Sequence, residues 1–346
     1  MLNTINRMLV VAVAVATSIF SIQGVAAQGF YSGKTVTIIS PYPPGGTYDR
    51  MARLAAQYLP KHLPGNPSVI VQNRPGGGGL IGVRAAYKSK PDGLTMTHFA
   101  STVVLRKLMG SAKDIDFKKM GWLGSVGGAH YMMLMRSDRK ERTISEFQNT
   151  KKPIKIGATG PASLLTIAPK LLMRAGGFNL KLVSGYKGFS PLALALKQGE
   201  IEAVATAALT LKVVKVTEAM FNDGSLRIAV SMGGAPPPQR VAKLIAAAPK
   251  LRDVIKDPTD RKVYDAFVSM LSATRPFVTG PGVPAARLAM LKKAFQGMTS
   301  DPAFTTAATK QGFVLSILDG EQAKEKILSS LSLPKPIEKR MITIFK

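Results

Sequence analysis

The chain has 346 residues, 47 Lys and Arg against 20 Asp and Glu for a formal charge of +27, no cysteine, 46% hydrophobic residues and 7% aromatic ones. That composition excludes disulfides, thiol nucleophiles, thiolate metal sites and lipoprotein-type acylation, and so much apolar surface argues against disorder. The positive excess favours anionic partners. Lys and Arg are nevertheless scattered, without the interleaved aromatics of a single-strand surface, so no nucleic acid is expected.

Asn6-Arg7 precede an apolar run over 8–20, which leads into Val25-Ala26-Ala27. A basic start, a short apolar stretch and a small-residue end predict a secretory signal over 1–27, because the run falls short of the roughly 18 to 20 apolar residues needed to span a bilayer. The expected address is the periplasm. The length beyond it suits two α/β domains, each with its own core.

From Lys34 onward short β-branched runs alternate with helical periods, which predicts α/β sheets, mainly parallel and flanked by helices. The first unit is a strand over 35–40, a turn over 41–46 and a helix over 47–63, with Met51, Leu54, Ala55, Tyr58 and Leu59 on one buried stripe. A strand over 68–72, a glycine loop, a helix over 80–89 and a strand over 95–100 follow. A pair of connecting strands is expected over 122–135, and Thr143 with Glu146 has capping-box spacing. A second series of strands falls at 154–157, 180–183, 203–206 and 227–230, with helices at 163–175, 190–198 and 210–221 between them. The three prolines within 233–240 mark a loop. A strand over 274–279 and helices over 284–298, 301–309 and 320–331 complete the reading.

The loops after strands carry the candidate chemistry. Pro43-Pro44-Gly45-Gly46-Thr47-Tyr48-Asp49 opens a helix, so main-chain amides of a side-chain-poor loop meet the positive end of a helix dipole and could hold an anion. Pro44, Gly45, Gly46 and Thr47 are the expected ligand contacts, and Asp49 either joins them or stabilises the first helical turn. Gly77 and Gly78 supply a second amide-lined wall, and Ser101 and Thr102 follow the 95–100 strand. In the second series Thr159, Gly160 and Ser163 repeat the strand-to-helix device, and Tyr186 offers an aromatic edge.

Gly77, Gly79 and Gly82 formally satisfy G-x-G-x-x-G, but no acid lies about 20 residues on to hold a ribose, so no cofactor is expected. His62, His98 and His130 lack metal-ligand spacing, and Gly188-Phe189-Ser190-Pro191-Leu192 departs from a nucleophile elbow. No metal and no catalysis are expected. The competing reading is a basic surface-binding protein for polyanions such as glycan or anionic lipid.

The motifs Pro41-Tyr42-Pro43-Pro44-Gly45-Gly46 with Asp49 and Arg53, Val71-Gln72-Asn73-Arg74-Pro75 with its four glycines and Ile81-Gly82, and Pro91-Asp92-Gly93 together resemble the extracytoplasmic receptors of tripartite tricarboxylate transporters, the Bordetella uptake gene product family. Gly157-Ala158-Thr159-Gly160, Tyr186-Lys187-Gly188 and Gly282-Val283-Pro284 extend the likeness. The resemblance implies a Venus-flytrap fold with crossover hinge strands: domain 1 over 28–128 and 275–346, domain 2 over 129–274. It further implies a monomer that binds a small organic acid (a di- or tricarboxylate, an aromatic acid or an acidic amino acid) and hands it to membrane components of the transporter. Gly77 stands where the family commonly has alanine, and 206–210 lacks the acidic or amide residue often found there.

Overall fold

The β-branched runs become strands, buried throughout over 121–127 and alternating between exposed and half-buried over 68–73. In the computed structural model, residues 29–346 apart from Ala162 are described, and the signal expected over 1–27 lies outside them. In chain order the strands are β1 (Thr35–Ser40), β2 (Ser68–Asn73), β3 (Thr95–His98), β4 (Gly121–Gly127), β5 (His130–Arg136) and β6 (Ile154–Gly157). There follow β7 (Leu180–Val183), β8 (Ala203–Ala207), β9 (Leu226–Gly234), β10 (Thr274–Thr279) and β11 (Leu318–Asp319).

They form a six-stranded sheet in the order β11-β4-β10-β3-β1-β2 and a five-stranded sheet in the order β7-β6-β8-β5-β9. Both are mixed. β1 is parallel to β2 and β3, and β6 is parallel to β7 and β8, as strand-helix-strand units require. The antiparallel pairs involve the strands next to the crossings: β10 between β3 and β4, and β5 between β8 and β9.

β5 shows why the sheets are covered on both sides. Its Met132 and Leu134 enter one core with Leu192, Val204 and Leu211, while Tyr131, Met133 and Met135 enter another with Phe267, Met270 and Ile344. Alternate residues therefore point to opposite faces, and both faces are buried. The helix Thr47–Tyr58 covers the first sheet with Met51, Leu54 and Ala55, packed with Ile38, Phe277 and Phe295.

Register places the two sheets edge to edge. Ser40 at the end of β1 and His98 at the end of β3 lie at the edge where β10 begins, because Phe277 pairs with His98 and Thr274 with Gly127 at the end of β4. Gly128 and Ala129 then lead directly into β5, whose first residues pair with Ala207 at the end of β8 and Gly234 at the end of β9. The turns after β1, β3, β6 and β8 thus all leave the edges joined by this crossing. The helix Pro258–Ser272 returns the chain to β10, and the Ala129 amide bonds to the Leu271 carbonyl at 2.8 Å, tying the two crossings together.

The last helix, Lys335–Phe345, packs on the helices Leu164–Arg174 and Pro258–Ser272 beside the second sheet. Lys170 Nζ donates to the Phe345 carbonyl at 3.0 Å, and Arg340 clasps Asp260 at 2.5 and 2.8 Å. The partition expected from sequence placed these residues with domain 1. Their apolar stripe, Ile337, Met341, Ile344 and Phe345, enters the core that holds both Leu105 and Phe267.

Candidate functional site

The loop between β1 and its helix is held by Asp49. This side chain is 1% exposed; its Oδ2 accepts from the Gly45 amide and Arg53 Nε, both at 2.9 Å, and its Oδ1 accepts from Asn73 Nδ2 at 2.7 Å. Asn73 also donates to the Tyr42 carbonyl at 3.0 Å, so the loop is stapled to the end of β2. Burial raises the Asp49 pKa, but the bonds from Arg53, Asn73 and Gly45 outweigh it and hold the carboxyl below its usual range. Pro44, Gly45 and Gly46 are exposed, Thr47 is half-buried, and Gly46 sits at the helix N-cap with no side-chain cap. The Gly45 amide is committed to Asp49, so it is not free for the anion contact expected of this loop.

The second glycine wall backs the first. Gly76, Gly77, Gly78 and Gly79 all have positive φ, between +56° and +127°. Arg106 Nη2 donates to the Gly77 carbonyl at 3.1 Å and would lie 2.6 Å from a Cβ on Gly78. A Cβ on Gly79 would meet the Tyr42 hydroxyl at 2.9 Å, and one on Gly82 would meet Pro41 at 2.6 Å. These glycines let the two loops touch. Ser101 and Thr102 are fully buried, and Ser101 Oγ donates to the Met270 carbonyl at 2.8 Å, joining the first sheet to the returning helix.

In the second sheet Thr159 uses its amide on Thr166 Oγ1 at 3.1 Å, while its own Oγ1 is buried with no partner. Ser163 Oγ caps the helix Leu164–Arg174 by accepting from the Leu165 amide. A Cβ on Gly160 would meet only open space. The Tyr186 hydroxyl donates to Glu200 at 2.5 Å, and burial and that carboxylate push its pKa up to about 12.

The sequence reading missed the most unusual group at these edges. Arg275, the second residue of β10, is 5% exposed and has φ +60°. Its guanidinium lies 5.1 Å from the Tyr48 ring and 5.5 Å from the Phe313 ring, and Nη1 donates to Thr274 Oγ1 at 3.3 Å. Nε has no hydrogen-bond partner, and no described acid lies within ion-pair distance. Around it, Tyr42 packs on Tyr48 at 4.5 Å, Tyr48 on His98 at 5.7 Å, and His98 on Phe277 at 4.9 Å. Tyr131 of β5 is within electrostatic reach of Arg275, Tyr48 and Tyr42, so the cluster spans both sheets. Burial and then the Arg275 charge push the His98 pKa down to about 3, so the ring is neutral at ordinary pH. The sequence signal that could have found Arg275 is a lone cation inside a run of six buried strand residues, Thr274 to Thr279.

The fold defines a class, a two-sheet α/β protein whose loops after β1, β3, β6 and β8 gather at the edges where the two sheets are joined. The family model for the tripartite tricarboxylate transporter family receptor matches residues 51–341, and the chain belongs to that family of solute-binding receptors. Protein BugT of Bordetella pertussis is 27% identical over 209 residues; the match covers 58% of this chain and 63% of BugT, so the chain spans less than two thirds of that relative. A tricarboxylate-receptor solute-binding protein from Polaromonas superposes with a TM-score of 0.66 at 21% identity, covering 91% of this chain and 98% of that one. MatC from Rhodopseudomonas palustris, solved with bound malate, superposes with a TM-score of 0.63 at 17% identity, covering 90% and 99%. Among the described residues no helix is long and apolar enough to cross a membrane, and no group of His, Asp and Glu could hold a metal ion.

Proposed function

We propose that the protein is a periplasmic receptor that closes its two units on a small carboxylate and presents it to the membrane components of a tripartite transporter. The observation that carries this reading is where the buried, unpartnered polar atoms lie. Of the six described side chains with such atoms, Ser40, His98, Thr159 and Arg275 stand at or just beyond the strand ends that the register brings to the joined edges. Buried polar atoms without partners are rare in folded proteins, and a concentration of them marks a place where a ligand or water completes the bonding. Arg275 and the N-terminus of the helix Thr47–Tyr58 are both electropositive, which fits an acid. Binding of malate by a protein of the same fold supports the same class.

A thermal-shift panel of di- and tricarboxylates, aromatic acids, acidic amino acids and neutral sugars tests the reading. A bound solute raises the apparent Tm by mass action. At least one organic acid is expected to raise it and the sugars to leave it unchanged. Stabilisation by a sugar with none by any acid would overturn it.

A further inference from the structure

Arg275 is hard to justify as a structural residue. A buried cation is normally paired, because removing a charge from water without a counter-charge is strongly unfavourable. Here the side chain has one hydroxyl contact and two aromatic faces, and its backbone occupies a left-handed conformation that side chains disfavour. The rings of Tyr48 and Phe313 hold the guanidinium without satisfying its donors, and cation–π contacts replace only part of the lost hydration. Gly127 leaves room for it: a Cβ there would lie 2.9 Å from Nη1. The nearby acid of the first loop, Asp49, is turned inward onto Gly45, Arg53 and Asn73 and cannot serve as counter-charge without breaking that staple.

We propose that Arg275 is the charge-reading residue of the cleft, pairing directly with a carboxylate of the solute, and that the site therefore favours acids lacking an ammonium group over acidic amino acids. This rests on the receptor reading and narrows it. The planar guanidinium matches a carboxylate through two parallel N–H···O bonds, and its orientation is set by the rings on which it lies. A second cation close to it, such as the ammonium of aspartate, meets an uncompensated like charge in a poorly solvated place. The helix N-terminus at Thr47 adds to the same bias.

The test titrates wild type, Arg275→Met and Arg275→Lys with malate, aspartate, malamide, glutarate and benzoate by calorimetry, alongside thermal unfolding without ligand. Arg275→Met is expected to fold with a ligand-free Tm no lower than wild type, because an unpaired buried charge has been removed. It should bind each acid at least about tenfold more weakly, as loss of a charge-assisted hydrogen bond implies. Wild type should favour malate over aspartate and malamide, and Arg275→Met should lose most of that preference, which a merely structural role would not change. Arg275→Lys should recover part of the affinity. Unchanged acid binding by Arg275→Met, or failure of that variant to fold, would overturn the proposal while leaving the receptor reading intact. Failure of wild type to bind any acid would overturn the receptor reading itself.

Discussion

Asp49 and His98 are within electrostatic reach of each other and respond to acid for opposite electrostatic reasons. Asp49 is held ionised by three donors, so its contribution is complete above the unfolded carboxyl pKa of about 3.9 and is lost as pH falls through the lower folded value. Asp49→Asn should destabilise the protein by about 1–3 kcal/mol at pH 7 in urea unfolding, and the gap to wild type should shrink below about pH 4. His98 is held neutral, with a folded pKa of about 3 against about 6.5 unfolded. The unfolded chain then binds the extra proton between those values, so stability falls as pH drops below about 6.5. His98→Phe keeps a ring against Phe277 and should flatten that part of the stability profile measured by thermal unfolding; an unchanged slope would contradict the assignment. The sequence showed Asp49 in a first helical turn but not its partners, because Asn73 arrives from another strand. It left Arg275 unnoticed because a strand pattern records alternation and hides a single buried charge.

At the scale of elements, much of the pattern was legible. The strands read at 35–40, 154–157, 180–183 and 274–279 are found with those bounds, and Thr143 with Glu146 forms the capping box its spacing suggested. The helix read over 210–221 is broken at Val214, whose φ of −114° and ψ of 105° are extended. Val213, Val214 and Val216 are β-branched, and such a run weakens a helix without announcing a break. The helix Pro258–Ser272 went unread although Val263, Tyr264, Phe267, Met270 and Leu271 are buried at helical spacing, because its charges at Asp260, Arg261, Lys262 and Asp265 dilute the period. The glycine loop was read as a wall of amides, whereas its glycines also permit close approach of chain to chain. Gly82→Ala would drive a Cβ to 2.7 Å from Pro41 Cα and 2.9 Å from the Arg74 carbonyl. It should cost about 1–3 kcal/mol in denaturant unfolding, as overpacking does, and should weaken acid binding because Pro41 begins the loop proposed to face the acid.

For the molecule as a whole, the strand-helix alternation and hence the class were legible in the residues, but not how the two sheets meet. That depends on register between strands far apart in the chain, such as Thr274 with Gly127 and His130 with Gly234, and on one continuous core running through the helix Pro258–Ser272 to both sheets. The segment after the helix Pro302–Lys310 touches the second unit: a Cβ on Gly312 would collide with Val213 Cγ1. Gly312→Val should therefore wedge the units apart, raise the radius of gyration measured by small-angle scattering in the presence of ligand, and weaken acid binding; an unaltered radius and affinity would show that this contact plays no part in closure. The most direct measurement is calorimetric titration of the protein with malate, glutarate and benzoate beside glucose. Saturable one-to-one binding of at least one acid, with no heat of binding from glucose, is the predicted result; glucose binding with none of the acids would contradict the account.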